Sequence, residues 1–172
     1  MKEKLNRLPK AVGIAVLAVC VLLGVYCGNR NALRAAVAEA ELNLPAVEQI
    51  LAERAGKASN LITLGERYLP QSDAVQQLQK ARDEVLEADG VQAMYEANLR
   101  LSSLSEAVYI ALQAEVDGTD ARLLLSAMDE LRSSQLQLER AAQAYNDAIA
   151  EARQVYNRLP ARLLLQKPEG FQ

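Results

Sequence analysis

The residues of this chain best suited to chemistry are two tyrosine–asparagine pairs, Tyr145-Asn146 and Tyr156-Asn157. They lie eleven residues apart. On an α-helix that is about three turns, which places the second tyrosine nearly above the first. A tyrosine ring packs against apolar neighbours while its hydroxyl seeks a hydrogen-bond partner, and an asparagine amide both donates and accepts. Tyr95, Tyr109, Asn60 and Tyr68 are the polar side chains that other helices can bring alongside. Two readings follow. The pairs fix helix register and satisfy one another, or they line a polar groove for a ligand or partner peptide. The candidate groove residues are Tyr145, Asn146, Tyr156, Asn157, Asn60 and Tyr68.

Other chemistry finds little material. The chain has no histidine, so the commonest general base and metal ligand is missing. The only cysteines, Cys20 and Cys27, belong to an apolar run and read as small hydrophobes in a helix. Two residues seven apart on one helix are too distant to bridge each other. No Gly-rich phosphate loop is present; the turn at Gly118 lacks that pattern. Di-metal bundle sites pair Glu with a Glu-x-x-His motif, and the acidic residues Glu130, Glu139, Asp147 and Glu151 fall off the apolar stripe, as a solvated face does. The expectation is therefore no enzyme, no catalytic residue, no metal and no cofactor.

The elements that must position the tyrosines are long helices. From Ala121 to Leu159 a stripe repeats at alternating four- and three-residue steps through Leu124, Met128, Leu131, Gln135, Leu138, Ala142, Tyr145, Ile149, Ala152, Tyr156 and Leu159. That heptad rhythm keeps one face of a helix against partner helices over roughly 58 Å, and Pro160 ends it. A second stripe, from Leu33 through Val47, Leu51, Arg54, Ala58 and Leu61 to Tyr68, passes straight through Pro45, where the helix either kinks or restarts. Gln71–Ala88 predicts a shorter helix capped by Ser72, with Val75, Leu78, Arg82, Val85 and Leu86 inward. Val91–Val116 predicts another, with Met94, Ala97, Leu101, Leu104, Val108 and Ala111 inward. Asp89-Gly90 and Asp117–Asp120 are the breaks between them, with Thr119 or Asp120 as cap. Ala161–Leu165 reads as a short apolar segment that folds back on the bundle end or touches the membrane surface, and Lys167–Gln172 as a loose tail.

Ala11–Gly28 carries no charge and sits at the short end of what a bilayer core requires. Tyr26 occupies an interfacial position. Small residues suited to signal cleavage lie badly placed, at Ala18 and Cys20 or beyond Arg30 and Arg34, so the run reads as an uncleaved signal anchor. Lys2, Lys4, Arg7 and Lys10 precede it, against Arg30 and Arg34 after it. The positive-inside rule then puts the N-terminus in the cytoplasm and the body outside the inner membrane. The net charge is −3, and without the basic leader the remainder is more acidic still. An acidic body with 4% aromatic residues offers no electrostatic footprint for nucleic acid.

The expected fold is all-α: an N-terminal transmembrane helix followed by a long antiparallel helical bundle of three to four helices. Residues 1–10 form a basic flank, 11–28 the anchor, 29–160 the bundle and 161–172 a C-terminal tail. The partners expected are the lipid bilayer and a protein of the envelope. The heptads suit homo-oligomerisation as well as an internal, coiled-coil-like core.

Several of these residues also carry a resemblance. Leu51–Tyr68, with its Asn60-Leu61-Ile62 step and terminal Tyr, resembles the early helix of LemA family proteins. The doubled Tyr-Asn followed by Leu159-Pro160 is similar to that family's late helix, and Gly170-Phe171 to its C-terminal Gly-Phe. The chain departs from the pattern at Glu53-Arg54, where paired basic residues are usual, at Leu159 in place of Phe, and at Pro45. The resemblance implies a bacterial membrane-anchored antiparallel bundle and implies no reaction. The function expected is a non-enzymatic interaction or scaffolding module at the envelope; the alternative is a ligand- or metal-sensing domain that uses the Tyr/Asn groove.

Overall fold

The computed structural model describes the backbone of residues 2–158 and 165–171, with side chains from residue 12 onward in α1. Four helices follow one another among these residues: α1 (Lys2–Tyr68), α2 (Asp73–Glu87), α3 (Val91–Gln113) and α4 (Gly118–Arg158). The described residues contain no strand. The Leu159-Pro160 step, most of the Ala161–Leu165 segment and Gln172 lie outside them.

Contacts divide the chain into two compact units. One comprises residues 1–39 with 148–168, the other 40–147 with 169–172. The second holds the later part of α1, all of α2 and α3, and most of α4. Its helix directions can be read from side-chain bonds. Arg54 of α1 meets Leu131 and Ser134 of α4, whereas Arg67 and Tyr68 meet Asp120. Rising numbers in α1 thus match falling numbers in α4, and the pair is antiparallel. Arg100 bonded to Glu84 across the short α2–α3 turn makes those two antiparallel as well. Leu61, Leu78, Leu101, Leu112 and Leu138 are fully buried at the centre of this unit. Each contributes about 1.5–3 kcal/mol relative to an exposed position.

The α4 stripe is buried from Leu124 to Ala152 apart from half-buried Gln135, and the α1 stripe holds from Leu33 to Tyr68. Pro45 does not break α1. It sits exposed within a continuous helix, where water can satisfy the carbonyl one turn earlier. Three expectations need correction. Ser72 occupies the N-cap of α2, but its side chain caps nothing; its carbonyl instead accepts the Gln76 N–H. Leu86 is exposed, and Ala81 takes its place inside. In α3, Met94, Ala97, Leu101 and Val108 are buried as expected, but Ala111 is exposed and a second row through Asn98, Ser105, Tyr109 and Leu112 is buried beside them. The polar members of that row hid it from a reading based on hydrophobicity.

Two glycines are structural requirements. Gly90 starts α3 at φ +86°, a conformation that side-chain-bearing residues rarely adopt. Gly65 lets α1 and α2 touch, because a Cβ there would stand 2.7 Å from a Val75 methyl. Gly56, in the same helix, would meet nothing within 4 Å. The same substitution should therefore have opposite signs at the two positions. Gly56→Ala should stabilise by about 0.5–1 kcal/mol through helix propensity. Gly65→Ala should lose about 1–3 kcal/mol through overpacking, and Val75→Ala should relieve much of that loss. Chemical denaturation of the detergent-solubilised chain, followed by circular dichroism, measures both.

Candidate functional site

Within the second unit, α1, α3 and α4 converge on Arg54, which is 2% exposed. Its Nε donates to Asn98 Oδ1 at 2.9 Å, one terminal nitrogen to the Leu131 carbonyl at 2.9 Å and to Ser134 Oγ at 3.2 Å, and the other to Ser102 Oγ at 2.9 Å. Every one of these acceptors is neutral. Ser134 in turn donates to the Leu131 carbonyl at 2.8 Å. Burial pushes the guanidinium down to about 10, with the field of Glu139 acting the other way, so Arg54 remains charged at neutral pH. A buried cation held only by dipoles is expensive to desolvate and ties its donors to one geometry.

A groove of about 400 Å³ opens beside this network between α3 and α4. Asn98, Gln135, Glu139, Gln143 and Asn146 supply its polar lining, and Tyr95 and Phe171 its aromatic edges. Phe171 comes from the C-terminal segment, which is not loose. The Asn146 amide grips it by the main chain: Nδ2 donates to the Phe171 carbonyl at 2.8 Å, and Oδ1 accepts the Phe171 N–H at 2.7 Å. The Tyr145 hydroxyl donates to the Glu169 carbonyl at 3.2 Å. The Phe171 ring is buried and stands edge-on to Tyr95, with centroids 5.4 Å apart. In the first unit, Arg153 donates to the Pro168 carbonyl and the Tyr156 hydroxyl to that of Leu165.

The six residues expected to share one groove are thus distributed. Tyr145 and Asn146 hold the tail in the second unit. Tyr156 and Asn157 belong to the first, where Tyr156 meets Leu165. Tyr68 donates to Asp120. Asn60 lines a different groove, of about 310 Å³, with Arg67 and Glu130. Missing from the expected set were Arg54 as a network centre, Asn98, Ser102, Ser134 and Phe171. One signal was available for Arg54: an always-charged residue at a seam position calls for buried acceptors on the facing helices.

At the start of α4, Asp120 joins two residues at the end of α1. It accepts from Tyr68 and forms an ion pair with Arg67 at 2.9 Å. The hydrogen bond from Tyr68, aided by Arg67, holds the Asp120 carboxyl below the usual carboxylate range. The same bond and partial desolvation raise the Tyr68 phenol above its ordinary value of 10.0. Among the described residues, no group of three or more Cys, Asp or Glu side chains could hold a metal ion.

The signs of these two shifts define a pH window. The Asp120 contribution is present above its unfolded value and disappears as pH falls through the lowered folded value. The Tyr68 contribution is present below its unfolded value and disappears as pH rises through the raised folded one. Asp120→Asn should flatten both limbs of a stability-versus-pH curve measured by thermal melts. Separately, Arg54→Met should leave Asn98, Ser102 and Ser134 without their common donor and lose about 3–5 kcal/mol. Adding Asn98→Leu and Ser134→Ala should recover most of that loss in the same denaturation assay. No protein-family model matches this chain, and no curated protein matches it.

Proposed function

We propose that this protein is a single-pass, membrane-anchored interaction or scaffolding module of the LemA type, with no catalytic activity of its own. The observation that carries this reading is the make-up of α1. Its apolar window reaches a mean hydropathy of 2.2 and has none of its surface buried within the chain, so α1 is long and apolar enough to cross a membrane. Val12, Ile14, Leu17 and Leu22 are each more than half exposed, a face that lipid would cover. The same helix continues without a loop into the bundle unit. A bundle helix fused to a span suits a protein that presents a surface at the bilayer.

The excess of basic residues before the span supports placing the bundle outside the cytoplasmic membrane of a bacterial envelope. The absence of histidine from the sequence supports a non-enzymatic role. The alternative, a sensing domain built on the Tyr/Asn residues, has less in its favour, because Tyr145 and Asn146 already engage the chain's own tail.

Crosslinking in native membranes followed by mass spectrometry should recover specific envelope proteins attached to residues 40–147. Recovery of bulk membrane proteins alone, unchanged when the bundle is replaced by an unrelated helical domain, would refute the module reading. Protease added to intact spheroplasts should digest the bundle, and protection of the bundle would reverse the proposed orientation.

A further inference from the structure

The two units use their cations differently. In the second unit Arg67, Arg82, Arg100 and Arg132 each face a carboxylate at 2.6–3.1 Å, and Arg54 donates inside the bundle. That unit holds nine basic residues against nineteen acidic ones. The first unit reverses the balance. Beyond its uncharged run, the described residues include Arg30, Arg34, Arg153, Arg158 and Lys167 against Glu39 and Glu151. Arg30, Arg34, Arg158 and Lys167 are exposed, and none of the four has an ion-pair partner among the described residues.

Three features gather these four cations beside the end of the apolar run. The first is distance along α1. The helix is continuous, so Arg30 and Arg34 follow Gly28 by about 3 and 9 Å of rise. The headgroup layer on each side of a bilayer is about 5–8 Å deep. The second is the antiparallel register of α1 and α4, which sets Arg54 against Leu131 and Ser134. Carried along both helices into the first unit, the same register levels Arg34 with Arg153 and Arg30 with Arg158. Leu33 on α1 and Ala152 on α4 are both buried in that unit. The third is the tail. Tyr156 donates to the Leu165 carbonyl and Arg153 to that of Pro168, which holds Lys167 between two tethered residues beside the end of α4.

We propose that this end of the first unit binds anionic phospholipid headgroups of the bilayer that α1 crosses, with Arg30, Arg34, Arg158 and Lys167 donating to the phosphates. The site rests on the reading of α1 as a membrane span and adds the class of lipid that its flank selects. A phosphodiester carries one negative charge on two free oxygens. An arginine fork matches both oxygens, and a lysine ammonium meets them as a point charge. Within the headgroup layer the cations lie inside the physiological screening length of about 8 Å, so salt does not erase the attraction. Each basic side chain near a charged membrane surface contributes roughly fivefold to association. A soluble acidic partner suits the site less, because it would have to displace lipid from Arg30. The topology rule counts only the flanks next to the span, so Arg158 and Lys167, far downstream in the chain, do not enter it.

The test offers the full chain, in detergent micelles, equal amounts of phosphatidylglycerol and phosphatidylcholine, and counts the retained lipids by native mass spectrometry. The unaltered chain should retain phosphatidylglycerol about tenfold over phosphatidylcholine. Arg158→Gln with Lys167→Gln should cut that preference about fivefold, although neither residue is near the span in sequence. Adding Arg30→Gln and Arg34→Gln should abolish it. Lys80→Gln with Arg122→Gln removes the same charge from the second unit and should leave the preference unchanged. Soluble glycerol phosphate should not displace the retained lipid. Thermal melts confirm that each variant is folded. Equal retention of the two lipids by the unaltered chain would overturn the proposal. An equal fall in the two double variants would overturn it too, by reducing the preference to net charge, and displacement by glycerol phosphate would assign the cations to a free anion. If the preference is missing while α1 resists carbonate extraction from native membranes, the headgroup site falls and the span stands. If carbonate releases the chain, both fall.

Discussion

The bundle unit depends on one buried guanidinium. The Arg54 guanidinium is planar, charged at neutral pH and able to donate in several fixed directions, and its donors go to side chains and a carbonyl from two other helices. Apolar seams are permissive about register, since one leucine fits a neighbour's hole nearly as well as another. A buried cation is not permissive. Sliding α3 or α4 by one turn would break this set of hydrogen bonds at once, and each buried donor left unpaired costs more than the loss of a single apolar contact. The leucines supply the bulk of the stabilisation, and Arg54 selects which arrangement of them is native. Its direct hydrogen-bond partners are all neutral, so acidification removes none of the acceptors at this centre. A carboxyl with a lowered titration sits instead at the periphery, where Asp120 joins the end of α1 to the start of α4.

The same centre accounts for the uneven legibility of the sequence. The helices themselves were plain from heptad spacing, and their limits from Pro70, Gly90 and Gly118. Pro45 was ambiguous because proline disrupts a helix only when the lost hydrogen bond cannot be replaced, and on an exposed face water replaces it. The inward face of α3 is wider than the expected row because hydrophobicity passes over Asn98, which is inside for the sake of a charge on another helix, and Ser105, whose hydroxyl has no hydrogen-bond partner among the described residues. Periodicity along one helix carries no information about what faces it.

The Tyr-Asn repeat shows a related limit. Its spacing suggests register pairs or a polar groove for a ligand or partner peptide, whereas the tyrosine hydroxyls bond main-chain carbonyls of the tail, Tyr145 at Glu169 in one unit and Tyr156 at Leu165 in the other. That the peptide is the chain's own C-terminal segment could not be read from spacing, because the contacts go to main-chain atoms, which every residue possesses. Only Phe171 contributes a distinctive side chain, and a single phenylalanine next to glycine near a chain end looks like a frayed terminus.

The Asn146 clamp has a consequence for how this segment can change. A primary amide offers one donor and one acceptor in a plane, matching the two groups of a peptide unit; aspartate would repel the carbonyl, and leucine would bind neither group. The constraint on the clamp is therefore strict, whereas the neighbouring letters of the strand it holds are nearly free to drift, provided one ring is kept. Mutational tolerance in this part of the molecule should be lopsided, concentrated in the ligand-like strand and almost absent from the helix that receives it.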